Sequence, residues 1–344
     1  YEERQNRQKI LAEVKNMLSE ARKLEKTILN DIVDNIQVIT CTLVGASHEL
    51  LRKKEFSTAF IDEAAQALEG ASWIPVLRAK RIIFAGDHCQ LPPTVKSAEA
   101  IKKGLSVTLF EKCIQRQKAD TLLEVQYRMH EEIMSFSSYE FYEGKLIADD
   151  SVKDQVLGDS DGIVANAVDF IDTAGCGYHE EVNADLKSYF NHDEANLLFR
   201  HLTKLLEALT HPLTPSLGLT PKGRGTNNIG IISPYNAQVI LLKKLINQYP
   251  EPAKYKAQIT IDTVDGFQGQ EREIIYISLV RSNDKNEIGF LNDIRRMNVA
   301  MTRAKKKLVI IGDSGTLAKH SFYKDFLDYS ESIDAYKSAW DFME

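Results

Sequence analysis

Asp62 and Glu63 stand side by side at the end of an apolar run, AFIDEAAQALE over residues 59 to 69, with no basic or amide side chain between them. A strand that delivers two hard oxygen donors to its end can hold a divalent cation with one and activate a water with the other. The plainer alternative is an acidic helix start, since carboxylates suit the positive end of a helix macrodipole.

A second apolar run, RIIFAGD, ends at Gly86 and Asp87 and leads into HCQLPPTV. Pro92 and Pro93 exclude a helix there, so Gln90 is expected on a rigid loop at the strand's carboxyl end. That edge of a parallel sheet is where ligands bind. An amide accepts from a water while donating to a phosphate oxygen, which suits a residue that senses a γ-phosphate.

Further boxes follow. DEAAQALE, in which Asp62 and Glu63 read as a Walker B pair, is succeeded by GDHCQLPPT, VQYRMH, ISPYNAQ, TVDGFQGQE and NVAMTRAK. In this order they resemble motifs II to VI of a superfamily 1 helicase of the up-frameshift-type group, nearest the immunoglobulin-mu-binding-protein helicases, and the likeness covers nearly the whole chain. Ordered motifs carry far more weight than any one of them.

The resemblance implies an α/β fold of the P-loop NTPase class with RecA-like parallel sheets, an incomplete first RecA-like domain being followed by a complete second one. It implies ATP and Mg²⁺ as cofactors. Asp62 would hold Mg²⁺ mainly through water, Glu63 would take the proton of the attacking water, and Gln90 would position that water or touch the γ-phosphate. Arg128 and Arg303 would be arginine fingers, their planar, permanent charge matching that of a transferring phosphoryl group. Tyr127 would stack on adenine, and Gly269 with Glu271 would approach the γ-phosphate and ribose. The plainer readings are salt bridges for the arginines, packing for Tyr127 and a simple turn for the Gly-Gln-Glu run.

The same likeness places single-stranded RNA or DNA on Thr42, Pro234, Tyr235, Thr263 and Val264, with Arg281 and Asn298 as further contacts. Hydroxyl and backbone contacts to phosphates carry little sequence information, and an aromatic platform at Tyr235 would accept any base. Movement would be 5′ to 3′, with ATP drawing the two RecA-like domains together. The rival from another class is a non-catalytic nucleic-acid or protein binding module.

A motor of this kind needs a Walker A loop, G-x-x-x-x-G-K-[ST], to cradle and neutralise phosphates. The sole Gly-Lys pair, Gly144-Lys145, is followed by Leu146. The family places the loop upstream of DEAAQ, so the chain is expected to be the part after it, inactive alone; the alternative is a natural gene product that has lost nucleotide chemistry.

The elements that must position these groups can be read from pattern. Residues 1–30 form one helix, with Leu11, Val14, Leu18, Ala21 and Ile28 on a near-heptad stripe; the resemblance makes it a helical insertion, and a coiled-coil segment is the alternative. Residues 31–117 then complete the first domain, with IQVITCTLVGA, AFIDEA and RIIFAGD as its strands. Residues 118–344 form the second domain, with strands AVDFIDTA, NIGIISPY, AQITIDTV, EIIYISLV and KLVIIGD. NHDEANLLFRHLTKLLEAL makes a helix, Asn191 and Glu194 having capping-box spacing. Residues 210–228, with three prolines and three glycines, read as a mobile surface loop.

Composition is that of an ordinary soluble protein, 43% hydrophobic and 27% charged, without a membrane-length apolar run. Its four cysteines lack metal-ligand spacing and suit reduced thiols in a cytoplasmic or nuclear setting. A net charge of −6 argues against a globally basic coat, so nucleic-acid binding must use local patches. Residues 294–311 offer one: Arg295, Arg296, Arg303, Lys305, Lys306 and Lys307 with no acidic residue among them. The alternative for this run is a solvated helix end.

Overall fold

A computed structural model describes residues 2–117, 119–158, 162–210 and 228–343. The loop expected over 210–228 falls outside the described residues except at its ends. The chain divides into two compact units, one of residues 1–88 and 92–120, the other of residues 89–91 and 121–344.

The first unit opens with helix α1, Glu2–Asn35. Its apolar stripe is exposed: Leu11, Val14, Leu18 and Ile28 each keep about half their surface. IQVITCTLVGA, expected as a strand, is not one; residues 36–42 have no regular structure and Gly45–Ser47 form a 3₁₀ turn. An extended segment needs neighbours for its amides and carbonyls. Among the described residues of this unit the strands are β1, Phe56–Ile61, and β2, Ala79–Phe84, and they pair in parallel with each other. Helices α2 (Glu69–Val76), α3 (Ala98–Lys102) and α4 (Leu109–Gln117) complete the unit. Lys112 of α4 bonds Glu69 at 2.6 Å, and Phe110 meets Phe84 edge to face. The cover is thin, for Phe60 in β1 is 73% exposed.

The second unit begins with a short parallel pair, β3 (Val125–Gln126) and β4 (Ile147–Ala148), separated by α5 (Glu131–Tyr142). Then come β5 (Val168–Asp172), the hairpin β6 (Glu181–Asn183) and β7 (Ser188–Phe190), α6 (His192–Thr210), β8 (Ile229–Ser233), α7 (Asn236–Leu245), α8 (Pro250–Lys254) and β9 (Ile259–Thr263). The chain continues through β10 (Arg272–Ser278), α9 (Ile294–Met301), β11 (Ala304–Gly312), α10 (Ser314–Leu317), α11 (Ser321–Ser332) and β12 (Tyr336–Ser338).

Six of these strands form one all-parallel sheet, ordered β12-β5-β11-β10-β8-β9. It includes all five expected strands. Their near-continuous apolar runs reflect burial on both faces. Phe170, Ile232, Ile275, Ile277, Leu308 and Ile310 face one core with residues of α5, α9 and α11. Ile171, Ile231, Ile274, Tyr276, Val309 and Ile311 face the other with α6 and α7.

The capping box forms only in half. Asn191 Oδ1 accepts from Glu194 N at 3.0 Å, but Asn191 N donates to Gln238 Oε1 instead of Glu194. The Glu194 carboxylate turns inward, accepting from Ser278 Oγ at 2.5 Å and Val280 N at 3.0 Å. Burial outcompetes the local cap, because these donors lie at the buried end of β10, where water cannot satisfy them.

Candidate functional site

In the first unit, β1 ends at Ile61 and delivers Asp62 and Glu63 as exposed side chains. Asp62 Oδ1 accepts from Glu63 N at 2.9 Å, and Glu63 Oε2 accepts from Gln66 Nε2 at 2.6 Å. Glu63 is left-handed, φ 50° and ψ 39°, a strained conformation for a non-glycine residue and one that recurs at reactive sites. It turns the chain so that Ala64 N bonds Ala85 O at 2.9 Å. A Cβ on Gly86 would lie 3.0 Å from the Ala64 and Ala65 nitrogens, so a side chain there would press on this backbone and glycine suits the close approach. Two exposed carboxylates at a strand's end are a suitable oxygen donor set for hydrated Mg²⁺. Thr42, also in this unit, is exposed, and its hydroxyl accepts from Gly45 N at 3.0 Å.

The second unit brings two groups of expected residues together. Arg128 Nε bonds Glu271 Oε2 at 2.6 Å, while Lys305 bonds the other oxygen at 2.6 Å. Lys305 first, and then Arg128, hold the Glu271 carboxyl below its ordinary range. Backbone fastening aims Arg128: Gln126 Oε1 accepts from the nitrogens of Arg128 and Met129, both at 2.8 Å, and Gln155 Nε2 donates to Arg128 O. Tyr127 beside it is 68% exposed.

Arg303 is buried, its Nε donating to Val299 O at 3.0 Å, Nη1 to Gln270 O at 3.4 Å and Nη2 to Gln90 Oε1 at 3.2 Å. Gln90 and Arg303 therefore touch although 213 residues separate them. Asn298 fixes the same loop, donating to Cys89 O and Tyr142 Oη, each at 3.0 Å. Being wholly buried, it acts here as a fastener. Gly269, at φ 71°, makes the turn before Gln270, with open space where a side chain would stand.

Pro234, Tyr235, Thr263 and Val264 gather at one edge, since β8 and β9 are neighbours and Ser233 pairs with Thr263. Two expectations need correction. Tyr235 is 1% exposed, its hydroxyl donating to Ile288 O at 3.1 Å, and so is no open stacking platform; a buried phenol finds its acceptor inside. Val264 is likewise buried, so its side chain is closed to a strand. Thr263 is half-buried and its hydroxyl accepts from Gly266 N at 3.3 Å.

Arg281 is buried as well, bonded to Glu180 at 2.8 Å with its guanidinium 4.2 Å from the centre of the Tyr189 ring. It follows Val280, whose φ of 72° is exceptional for a β-branched residue. Arg281 N bonds Leu279 O at 2.8 Å, closing a strained γ-turn that Glu194 anchors through Val280 N.

Most of the basic run 294–311 is paired with acids. Arg295 pairs with Asp293, Arg296 with Asp265, Lys305 with Glu271, Lys306 with Glu273, and buried Lys307 with Asp169. The acids come from outside the run, where a count along the sequence does not look.

Two family profiles, each described as AAA domain, match residues 1–98 and 105–315, the latter more than half of the chain. The chain belongs to the AAA domain family of up-frameshift-type superfamily 1 helicases. Its parallel α/β sheet is the RecA-like P-loop NTPase fold. It is 37% identical over 344 residues to "DNA-binding protein SMUBP-2" of Mesocricetus auratus, covering 96% of this chain and 33% of that protein. It is 36% identical over 338 residues to "DNA polymerase alpha-associated DNA helicase A" of Schizosaccharomyces pombe, covering 94% and 47%. With "Regulator of nonsense transcripts 1 homolog" of Drosophila melanogaster the identity is 37% over 312 residues, covering 90% and 25%. The chain thus spans about a third of the first of these relatives.

Sequence reasoning about this helicase-family chain missed Glu180, Tyr189 and Glu194 as the supports of Arg281. No local spacing betrays them, for Glu180 and Glu194 lie 101 and 86 residues from their partners Arg281 and Val280. It also missed Lys305 as the second cation on Glu271 and Phe290 as an exposed ring on the same edge as Tyr235. The Gly-Phe pair inside an otherwise polar segment was the available signal.

Proposed function

We propose that this chain is the strand-moving part of an ATP-dependent helicase or translocase acting 5′ to 3′ on single-stranded RNA or DNA. The observation that carries the reading is the direct bond between Gln90 and Arg303. A sensor amide and a guanidinium from distant motifs share one site, held by Val299, Gln270 and Asn298.

Residues 31–117 are read as the rest of a first RecA-like domain, residues 118–344 as the second, and residues 1–30 as a helical insertion. In the first, Asp62 would hold Mg²⁺, which would screen phosphate charge, and Glu63 would accept the proton of the attacking water. Arg128 and Arg303 of the second would stabilise charge that develops in the transition state, and Gln90, which belongs to the same compact unit as these arginines, would orient the water. Tyr127 is exposed and suits an adenine face; Gly269 lets the backbone approach a phosphate. Glu271 would act on ribose while steadying Arg128.

On the strand side, Thr42, Pro234 and Thr263 remain open to contact, whereas Val264, Arg281 and Asn298 support from beneath. The four cysteines, spread through the chain without metal-ligand spacing, suit a reducing cytoplasmic or nuclear setting. No helix among the described residues is long and apolar enough to cross a membrane.

The test is strand displacement by a complete protein carrying this chain, on RNA and DNA duplexes with matched 5′ or 3′ tails. ATP-dependent displacement from 5′ tails is expected. ATP-independent binding without displacement on every substrate would leave the non-catalytic module as the better reading. The 344-residue chain alone, which holds no G-x-x-x-x-G-K-[ST] run, is expected to release no phosphate from ATP, with or without RNA.

A further inference from the structure

Resting on the reading that the second unit grips a single strand, we propose that Phe290 is the ring on which a base of that strand stacks. Phe290 is 65% exposed, while Ile288 and Leu291 around it are 6% and 1% exposed. One apolar ring is thus presented outward by a turn whose other apolar side chains are inside.

The turn is built rather than loose. Tyr235 Oη donates to Ile288 O at 3.1 Å, Tyr323 Oη to Leu291 O at 2.9 Å, and Asn292 Nδ2 to Gly289 O at 3.0 Å. Gly289 has φ 57°, and a Cβ there would lie 2.3 Å from Arg281 Nη1 and 3.0 Å from Tyr235 Oη. Only glycine lets the turn press onto those two buried groups. Phe290 lies against Tyr235 in turn, the two rings 5.9 Å apart. A ring already held in place loses little freedom when a ligand stacks on it.

Position and surroundings name the occupant. The turn lies at the carboxyl end of β8, beside Pro234 and next to the end of β9, the edge at which parallel sheets take ligands. Around the ring, Asn286, Glu287, Gly289 and Asn292 are exposed and not apolar. A protein anchor needs neighbours that exclude water from around it, whereas one base stacks on one ring regardless of its sequence. Tyr235, expected for this task, supports the ring from below.

The test uses the 344-residue chain and fluorescein-labelled oligo(U) and oligo(dT), read by anisotropy. Phe290→Ala is expected to weaken binding roughly 5- to 100-fold, and Phe290→Leu likewise, because a branched chain keeps apolar area without a flat face. Phe290→Trp is expected to bind as the parent does, and its indole fluorescence to be quenched as strand is added, beyond any change in the parent from Trp73 and Trp340. Melting temperatures should match across the set. Parent-like binding by Phe290→Ala would overturn this inference and leave strand binding intact. Failure of the unsubstituted chain to bind either oligonucleotide would overturn the functional reading and this inference with it. Should Phe290→Ala fail to fold, equal affinity of the Leu and Trp variants would overturn it.

Discussion

Beyond β1 stands Glu63 and beyond β10 stands Val280, both non-glycine residues at positive φ, 50° and 72°. The backbone device is alike and the chemistry opposite. At β1 the strained residue is itself the exposed carboxylate, on a two-stranded sheet whose Phe60 also faces water. At β10 the strained residue is an inert valine held by a buried carboxylate, Glu194, inside a six-stranded sheet. Strain of this kind costs on the order of 1–3 kcal/mol and persists only where surroundings impose it. In one place it turns an exposed carboxylate outward; in the other it sends the chain sideways to set Arg281 and the turn of Phe290.

The largest expected effect tests the carboxylate at the end of β1. Glu63→Gln, in a complete protein that supplies a phosphate-binding loop, should cut ATP turnover roughly 10²–10⁴-fold while nucleotide binding stays nearly intact. The amide keeps the shape and the left-handed turn but cannot accept the proton. Parent-like phosphate release in that variant would remove the distinction between the two strand ends.

At the supporting end, Phe170 is 1% exposed and packs edge to face on Phe326. Phe170→Ala should destabilise the second unit by about 3–5 kcal/mol. Hydrogen exchange resolved by residue reads this directly in a chain of two units, where a single melting midpoint does not. Unchanged protection in β5 and β11 would show the sheet to be less deeply supported than its burial indicates.

A third comparison concerns proton uptake. Burial raises the Glu194 carboxyl from 4.5 to about 7. The folded state therefore favours its protonated form, and the stability it contributes is full below about 4.5 and falls as pH rises toward 7. By linkage the loss is on the order of 3 kcal/mol across that window. Glu194→Gln should flatten this part of the stability-pH curve of the second unit, measured by urea unfolding at pH 5 and pH 7. An equal slope in parent and variant would mean that the carboxylate is as well solvated as an exposed one.

The smallest effect completes the set. Phe60→Ala in the 344-residue chain should shift stability by no more than about 0.5 kcal/mol, because the ring is already in water. A loss approaching that of Phe170→Ala would show that this face of β1 is covered.

Legibility in the sequence followed the same divide. The five strands of the large sheet could be read because burial on both faces leaves near-continuous apolar runs. IQVITCTLVGA is similarly rich in apolar and β-branched residues but has, among the described residues, no neighbouring strand to pair with, and a segment's own residues do not report that. Residue types and their places after apolar runs pointed to Asp62, Glu63 and Gln90, and the family resemblance added Arg128 and Arg303, while the bond of Gln90 to Arg303 and the sharing of Glu271 by Arg128 and Lys305 are tertiary facts. Tyr235 was misjudged because a tyrosine suits a surface and a lined interior equally. The half-made capping box teaches the same lesson, since Glu194 had a local role available and took a distant one.

The paired basic run has a consequence for how quickly a strand arrives. Arg295, Arg296, Lys305, Lys306 and Lys307 each meet an acid, although Lys305 shares Glu271 with Arg128, so most of the positive charge of this segment is offset locally, and the chain as a whole carries a net charge of −6. Encounter would proceed without attractive steering, at or below the neutral rate of roughly 10⁵–10⁶ M⁻¹s⁻¹. Salt then pulls two ways: it screens the long-range repulsion that slows approach, and it competes for whatever phosphate contacts form afterwards. Capture kinetics and equilibrium occupancy would respond to ionic strength with opposite signs.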